Sequence, residues 1–253
     1  MRSRMVAALV LLALSAMSAV AQVSPGERLL NAYPDYLKSV EGNDLVWKDG
    51  TRMQIDDGKG PKSFEQWLAA PDLKDMFRLP YAAGDVPPPA ASENDPGRAR
   101  NAAFFAKMYG DCSKGEVTKN LVDVSWLPKK AGQKLRVTKV NGVADKLAAI
   151  SRALDELPAV FDVYLKPSEG TYNCRMIAGT TQASAHGYGI AIDIATKHSH
   201  YWRWSKGGYQ NKIPKEIVRI FEENGFIWGG RWGHFDTMHF EYRPEMHTRS
   251  LSE

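Results

Sequence analysis

One apolar segment carries a single charge, and that charge limits what the chain can fold into. The segment is GIAIDIA, residues 189–195, in which Asp193 stands among isoleucines and alanines. Strand alternation places the three isoleucines on one face and Asp193 with two alanines on the other. Because a buried carboxylate without a partner is costly, we expect Asp193 to be paired, hydrogen-bonded or bound to a metal ion.

The chain begins with a short apolar stretch that follows two arginines and ends in Ala19-Val20-Ala21. This stretch is short for a membrane span and predicts a signal peptide over residues 1–21, with an uncleaved anchor as the alternative. Removing its two arginines lowers the formal charge from +4 to +2. So mild a charge argues against a nucleic-acid-binding protein. We expect a periplasmic or secreted monomer with no membrane attachment after cleavage.

Short predicted helices and strands are mixed along the chain without a regular βαβ rhythm. The predicted helices cover residues 26–40, 63–70, 98–109, 144–157 and 214–224. The predicted strands lie in LVWKDGTRMQI (a hairpin), KNLVDVSWL, QKLRVTKV, AVFDVYL, TYNCRMI, GIAIDIA, FIWGG and MHFEYR. This order favours an α+β fold, a small and largely antiparallel sheet with flanking helices.

A proline- and alanine-rich segment, residues 82–97, predicts a boundary within the chain, although it would also fit a long surface loop. We therefore divide the mature chain into an N-terminal extension of unknown role, residues 22–97, and a main domain, residues 98–253. The chain has two cysteines, Cys112 and Cys174. In an exported protein such a pair suggests one disulfide, and the competing metal site has no CxxC spacing to support it.

Two histidines and one carboxylate make a plausible three-ligand zinc set: His186, Asp193 and His239. Three protein ligands leave a fourth position for water, which is the pattern of catalytic rather than structural zinc. Asp236, three residues before His239, is close enough in sequence to serve as a base. The residues alone leave other interpretations open, since a salt bridge would explain His186 with Asp193, and a lone histidine is more often structural.

The motif SAHGYGIAIDI resembles the S-x-H-x-x-G-x-A-x-D motif of the D-alanyl-D-alanine metallopeptidases. The segment GFIWGGRWGHFDTMHFEYRPE is similar to the closing motif of that family, and both occur in the family's order across residues 140–247. The resemblance implies a zinc-binding fold shared with hedgehog domains, with His186, Asp193 and His239 as Zn²⁺ ligands and Asp236 as general base. It also implies activity on peptidoglycan or its muropeptides, either as a D-Ala-D-Ala carboxypeptidase or as an L-Ala-D-Glu endopeptidase.

Three further residues are candidates for contact with substrate. Arg175 is the predicted partner of the oxyanion, because the family carries an upstream arginine, although usually at a longer spacing than the eleven residues to His186. Ser184 and Gln182 flank the first ligand and could bind substrate or cap a turn. His198 and His200 form an H-x-H that could bind a metal, although their segment is more typical of an exposed loop, and His234 could orient substrate or be structural. The alternative to an enzyme is a non-catalytic, zinc-containing cell-wall binding module, against which the presence of Asp236 argues.

Overall fold

The structure, a computed structural model, describes residues 23–247 apart from 90, 178 and 181. The signal peptide predicted over residues 1–21 lies outside the described residues. No helix in the described part of the chain has the length and apolar character needed to cross a membrane.

The described residues form six α-helices and nine β-strands, connected by turns and short 3₁₀ segments. The helices are α1 (Pro25–Ala32), α2 (Phe64–Ala69), α3 (Ala102–Tyr109), α4 (Val143–Asp155), α5 (Asp162–Leu165) and α6 (Lys215–Glu222). The strands are β1 (Leu37–Glu41), β2 (Asp44–Trp47), β3 (Arg52–Gln54), β4 (Leu121–Trp126), β5 (Gln133–Thr138), β6 (Ser168–Gly170), β7 (Ala191–Ile194), β8 (Phe226–Trp228) and β9 (His239–Tyr242).

The strands form three antiparallel sheets. One contains β1-β2-β3, another is the β4-β5 hairpin, and the third has the order β6-β7-β9-β8. In this four-stranded sheet all three pairs are antiparallel, and β9 reaches β7 from far along the chain. The predicted α+β class is confirmed, with the sheet divided into three.

Two local signals in the N-terminal segment are confirmed. The turn that contains Asp49 and Gly50 joins β2 to β3 as an antiparallel hairpin. Ser63 caps α2: its side chain accepts the backbone N–H of Gln66, and the side chain of Gln66 accepts the backbone N–H of Ser63.

Two predicted strands are wrong. The segment AVFDVYL forms a 3₁₀ turn and then α5, because Pro158 begins a helical turn and the exposed Val160 and Val163 do not follow strand burial. The segment TYNCRMI makes only an isolated bridge, between Met176 and Ala183. The helix predicted over residues 26–40 ends at Ala32, and β1 follows it.

One hydrophobic core joins the elements: α4 packs on the β4-β5 hairpin and on α6, and α6 packs on the four-stranded sheet at β8. Helix α4 buries Leu147, Ile150 and Leu154 at helical spacing. Phe221 of α6 stacks on Phe240 of β9 with ring centroids 4.0 Å apart. This packing fixes one face of β9, so that the other face is free to carry polar groups.

The predicted N-terminal extension packs on the same hydrophobic core as the rest of the protein. The rings of Tyr33 and Trp47 lie 5.7 and 5.3 Å from the ring of Phe104 in α3. The hydroxyl of Tyr33 donates a hydrogen bond of 2.6 Å to the buried Glu245 near the other end of the described chain. Residues 23–97 therefore contribute directly to the packing around β9.

Candidate metal centre

Three donor atoms from distant parts of the chain form a nearly equilateral triangle. His186 Nε2 lies 3.2 Å from Asp193 Oδ1 and 3.2 Å from His239 Nδ1. Asp193 Oδ1 lies 3.1 Å from His239 Nδ1. The two imidazoles are buried, and the side chain of Asp193 is 20% exposed. The group can hold a metal ion.

The size of this triangle suits one small tetrahedral ion. Zinc binds imidazole nitrogen and carboxylate oxygen at about 2.0–2.2 Å, which places neighbouring ligands of a tetrahedron roughly 3.3–3.5 Å apart. The observed edges are a little shorter, and a slight expansion would admit the ion. Two imidazoles and one carboxylate are also a donor set that zinc accepts in catalytic sites.

The sheet places Asp193 and His239 face to face. In the antiparallel pairing of β7 with β9, Asp193 is opposite His239 and Ile192 is opposite Phe240. Strand alternation therefore puts both donors on the polar face and both apolar partners on the core face. Burial opposes the charge of Asp193, but hydrogen bonds from His186 and His239 hold its pKa well below the usual range.

The 3₁₀ turn Ala185–Tyr188 places His186 beside Asp193 and His239. Ser184 caps this turn, and its hydroxyl accepts the backbone N–H of His186. Gly189 ends the turn at φ 71°, where a Cβ would meet the backbone nitrogen of Thr138 at 3.0 Å. This explains the glycine that precedes β7, because another residue would be strained and crowded there.

Hydrogen bonds determine which nitrogen of each histidine faces the centre. His186 Nδ1 lies 2.6 Å from the carbonyl oxygen of Thr171 and must donate to it, which leaves Nε2 as the donor atom for a metal. His239 Nε2 lies 2.9 Å from the Glu241 carboxylate, which leaves Nδ1. In the metal-free protein burial lowers the pKa of His239, but hydrogen bonds to Asp193 and Glu241 outweigh it and raise that pKa to about 10.

Asp236 lies beside the triangle without belonging to it. Its Oδ1 is buried and has no hydrogen-bond partner among the described residues. Burial raises the pKa of Asp236 to about 6, and the nearby His239 and His186 act against that increase. Gly229 allows this approach, because a Cβ there would meet the backbone oxygen of Asp236 at 2.4 Å. A larger residue at Gly229 would therefore clash with Asp236.

Residues 178–242 match the family model described as D-alanyl-D-alanine carboxypeptidase. The predicted resemblance to that peptidase family is confirmed over this segment. No curated protein and no solved structure gives a match. The matched segment, residues 178–242, contains His186, Asp193, His239 and Asp236.

Arg175 lies outside the matched segment. Its side chain is exposed and makes no salt bridge with a described residue, while its carbonyl accepts the backbone N–H of Ser184 at 2.9 Å. The role of Arg175 in substrate binding remains a prediction.

Within the matched segment, Gln182 joins the loop before His186 to the N-terminal part of the chain. Its side-chain amide donates to the carbonyl groups of Leu68 and Ala69 at 2.9 and 2.7 Å. Ser184 has the capping role described above. The structure thus gives both residues a structural contact, and their roles toward substrate remain predictions.

A disulfide joins the segment before His186 to the region after α3. Cys112 and Cys174 form a disulfide with an S–S distance of 2.03 Å, across 62 residues of sequence. A Cβ at Gly187 would lie 3.2 Å from Cys112 Sγ. The disulfide therefore packs directly under the turn that carries His186.

The end of the N-terminal segment contacts the loop that precedes His239. Asp95, which is buried, accepts the backbone N–H of His234 and bonds to its Nδ1, both at 2.9 Å. The indole of Trp232 donates to the carbonyl of Pro96 and lies 5.7 Å from the ring of His239. The ring of His198 lies 5.0 Å from the ring of Tyr164. Sequence reasoning missed Asp95, because nothing in a proline-rich segment shows that it will meet His234.

Proposed function

We propose that the protein is an exported, zinc-dependent peptidase that hydrolyses an amide bond in the stem peptide of peptidoglycan. The single observation that carries this proposal is the donor triangle of His186, Asp193 and His239, beside which one buried oxygen of Asp236 has no hydrogen-bond partner among the described residues. The match to a D-alanyl-D-alanine carboxypeptidase family model supports the choice of substrate. The bond is either the D-Ala-D-Ala bond of a carboxypeptidase or the L-Ala-D-Glu bond of an endopeptidase.

Zinc is the metal we propose, because the two imidazoles and one carboxylate fit its preferred donors and distances. A zinc ion held there would polarise the amide carbonyl as a Lewis acid and make water a better nucleophile at neutral pH. The three side chains orient their donor atoms toward that position, and Trp232 excludes solvent from one side of His239.

Asp236 is the proposed general base. Its buried Oδ1 has no other partner among the described residues, so it is available to accept a proton from attacking water and pass it to the leaving amine. A pKa of about 6 suits a group that must both accept and release a proton near neutral pH. Arg175 is the proposed partner for the oxyanion or for a substrate carboxylate.

We further propose that the mature protein acts as a monomer in the periplasm or outside the cell. The signal-peptide pattern of residues 1–21 supports export, and so does the disulfide, because such bonds persist in oxidising compartments. Sequencing the N-terminus of protein recovered from outside the cytoplasm tests this proposal. An unprocessed Met1 on that protein would contradict cleavage.

A digest of purified peptidoglycan fragments tests the proposed reaction. The protein is incubated with muropeptides, with a chelator, and with a chelator followed by zinc, and the products are identified by mass spectrometry. We expect one amide bond to be cut, the cut to disappear with chelator and to return with zinc. Loss of a terminal D-alanine would identify a carboxypeptidase, and release of the peptide after L-alanine an endopeptidase. Binding to peptidoglycan without any product would favour the binding module instead.

A further inference from the structure

A chain of buried charges runs away from the candidate metal centre along β9. Its members beyond His239 are two carboxylates and two guanidiniums, each at most 7% exposed: Glu241, Glu245, Arg100 and Arg243. We propose that Glu241 is a positioning residue that holds His239 in the orientation and tautomer needed to bind the metal through Nδ1. The proposal rests on the zinc centre of the proposed function, but not on the hydrolytic reaction.

The hydrogen bond between His239 and Glu241 determines the direction of the lone pair. His239 Nε2 lies 2.9 Å from Glu241 Oε2, and an ionised carboxylate can only accept. A neutral imidazole has one N–H, so donating it to Glu241 leaves the lone pair on Nδ1. That nitrogen is the one 3.1 Å from Asp193 Oδ1 and 3.2 Å from His186 Nε2.

Strand geometry and two arginines fix Glu241 itself. His239 and Glu241 are two residues apart in β9 and lie on the same face. Arg100 Nη1 donates to both carboxylate oxygens at 3.1 and 3.2 Å, and Arg243 Nη1 donates to Oε1 at 3.1 Å. Oε1 thus accepts from both guanidiniums, while Oε2 accepts from Arg100 and from His239 Nε2.

The two arginines are in turn held by groups outside the metal centre. Arg243 donates to the carbonyl of Gly97 and to Glu245, and Glu245 also accepts the hydroxyl of Tyr33. Arg100 donates to the carbonyl of Arg98. Two positive and two negative side chains balance within the network, so Glu241 can stay charged although it is fully buried.

Exchange of Glu241 for glutamine tests the proposal, with Glu245→Gln as the matched control. A glutamine NH₂ group must face either the guanidiniums or His239 Nε2. If it faces His239, Nε2 must accept and the proton moves to Nδ1, where it blocks the metal. Glu245 is equally buried and bonds to the same Arg243, but it makes no hydrogen bond with His239. Both variants disturb the charge network, and only Glu241→Gln disturbs the histidine.

Zinc affinity is measured by competition with a chromophoric chelator, and the ligand geometry by the visible absorption spectrum of the cobalt-substituted protein. We expect Glu241→Gln to weaken zinc binding about 10- to 100-fold and to change the cobalt spectrum, as loss of a group that orients a metal ligand does. We expect Glu245→Gln to leave both unchanged while lowering the melting temperature of the metal-free protein. Equal zinc affinity in the two variants, whether lost or retained, would overturn the proposal.

If metal-free Glu241→Gln does not fold, Arg100→Lys provides the second test. Lysine keeps the charge but loses the fixed guanidinium plane that contacts both oxygens of Glu241. We expect an intermediate loss of zinc affinity, and an unchanged affinity would count against the positioning role. The proposed function is tested separately, since a wild-type protein that binds zinc but cuts no peptidoglycan would contradict the function and leave this proposal standing.

Discussion

Asp193 and His239 lie directly opposite each other in the antiparallel pairing of β7 with β9, with Asp193 Oδ1 3.1 Å from His239 Nδ1. The same register places Ile192 opposite Phe240 in the core. A shift of one residue would move both pairs to the wrong faces. The core packing of β9 therefore also sets the geometry of the candidate metal centre.

Exchanges at Asp236 and His239 separate the base from the ligand. We expect Asp236→Asn to keep close to one zinc per chain and to lose amide hydrolysis, because the amide cannot accept the proton from water. His239→Ala should lose both the metal and the activity. Zinc content is measured by elemental analysis and turnover by mass spectrometry of muropeptides. Purified Asp236→Asn without zinc would mean that Asp236 is a ligand.

Asp236 should also lower the stability of the metal-free protein as the pH rises. Burial raises its pKa from 3.8 to about 6 in the folded state. The unfolded chain therefore releases this proton first, and the cost of the buried charge grows between these two pH values and is complete above about 6. We expect the free energy of unfolding of Asp236→Asn to exceed that of wild type at pH 8 by up to roughly 3 kcal/mol. The difference should be smaller at pH 4. Denaturant unfolding with chelator present measures this, and an equal difference at both pH values would contradict it.

Reduction of the disulfide should destabilise the protein. Cys112 and Cys174 are 62 residues apart, and closing a loop of that length restricts the unfolded chain by about 4 kcal/mol in the entropy model. We expect a lower melting temperature after reduction, together with weaker zinc binding, because the disulfide packs under Gly187 in the turn that carries His186. Thiol titration of the denatured, unreduced protein provides the control, and two free thiols there would refute the bond.

Arg175→Lys tests whether the exposed arginine acts on substrate. Lysine keeps the charge but loses the planar two-pronged contact with an oxyanion or carboxylate. We expect a large decrease in kcat/KM with unchanged zinc content and melting temperature. Arg152, which is also exposed and lies on α4, provides the control exchange Arg152→Lys, with no expected effect. Activity near wild type in Arg175→Lys would assign that arginine to the surface.

Local patterns were sufficient to predict most of the elements and the members of the donor triangle. The helix predicted over residues 144–157, the helix predicted to start at Ser63 and the hairpin turn at Asp49-Gly50 depend on neighbouring residues, and each formed as expected. The segment AVFDVYL was misread as a strand, because its apolar residues suggest burial while Val160 and Val163 face solvent. Composition does not reveal which apolar side chains remain exposed.

The sequence by itself predicted which side chains come together, since His186, Asp193 and His239 stand in short motifs whose spacing follows from turns and strand alternation. Only the tertiary structure decided what surrounds them. The contact of Glu241 with Arg100 and that of Asp95 with His234 join residues 141 and 139 positions apart. The physical reason is that periodicity along the chain fixes the face on which a residue lies, whereas the partner of a buried charge depends on which distant segments pack together.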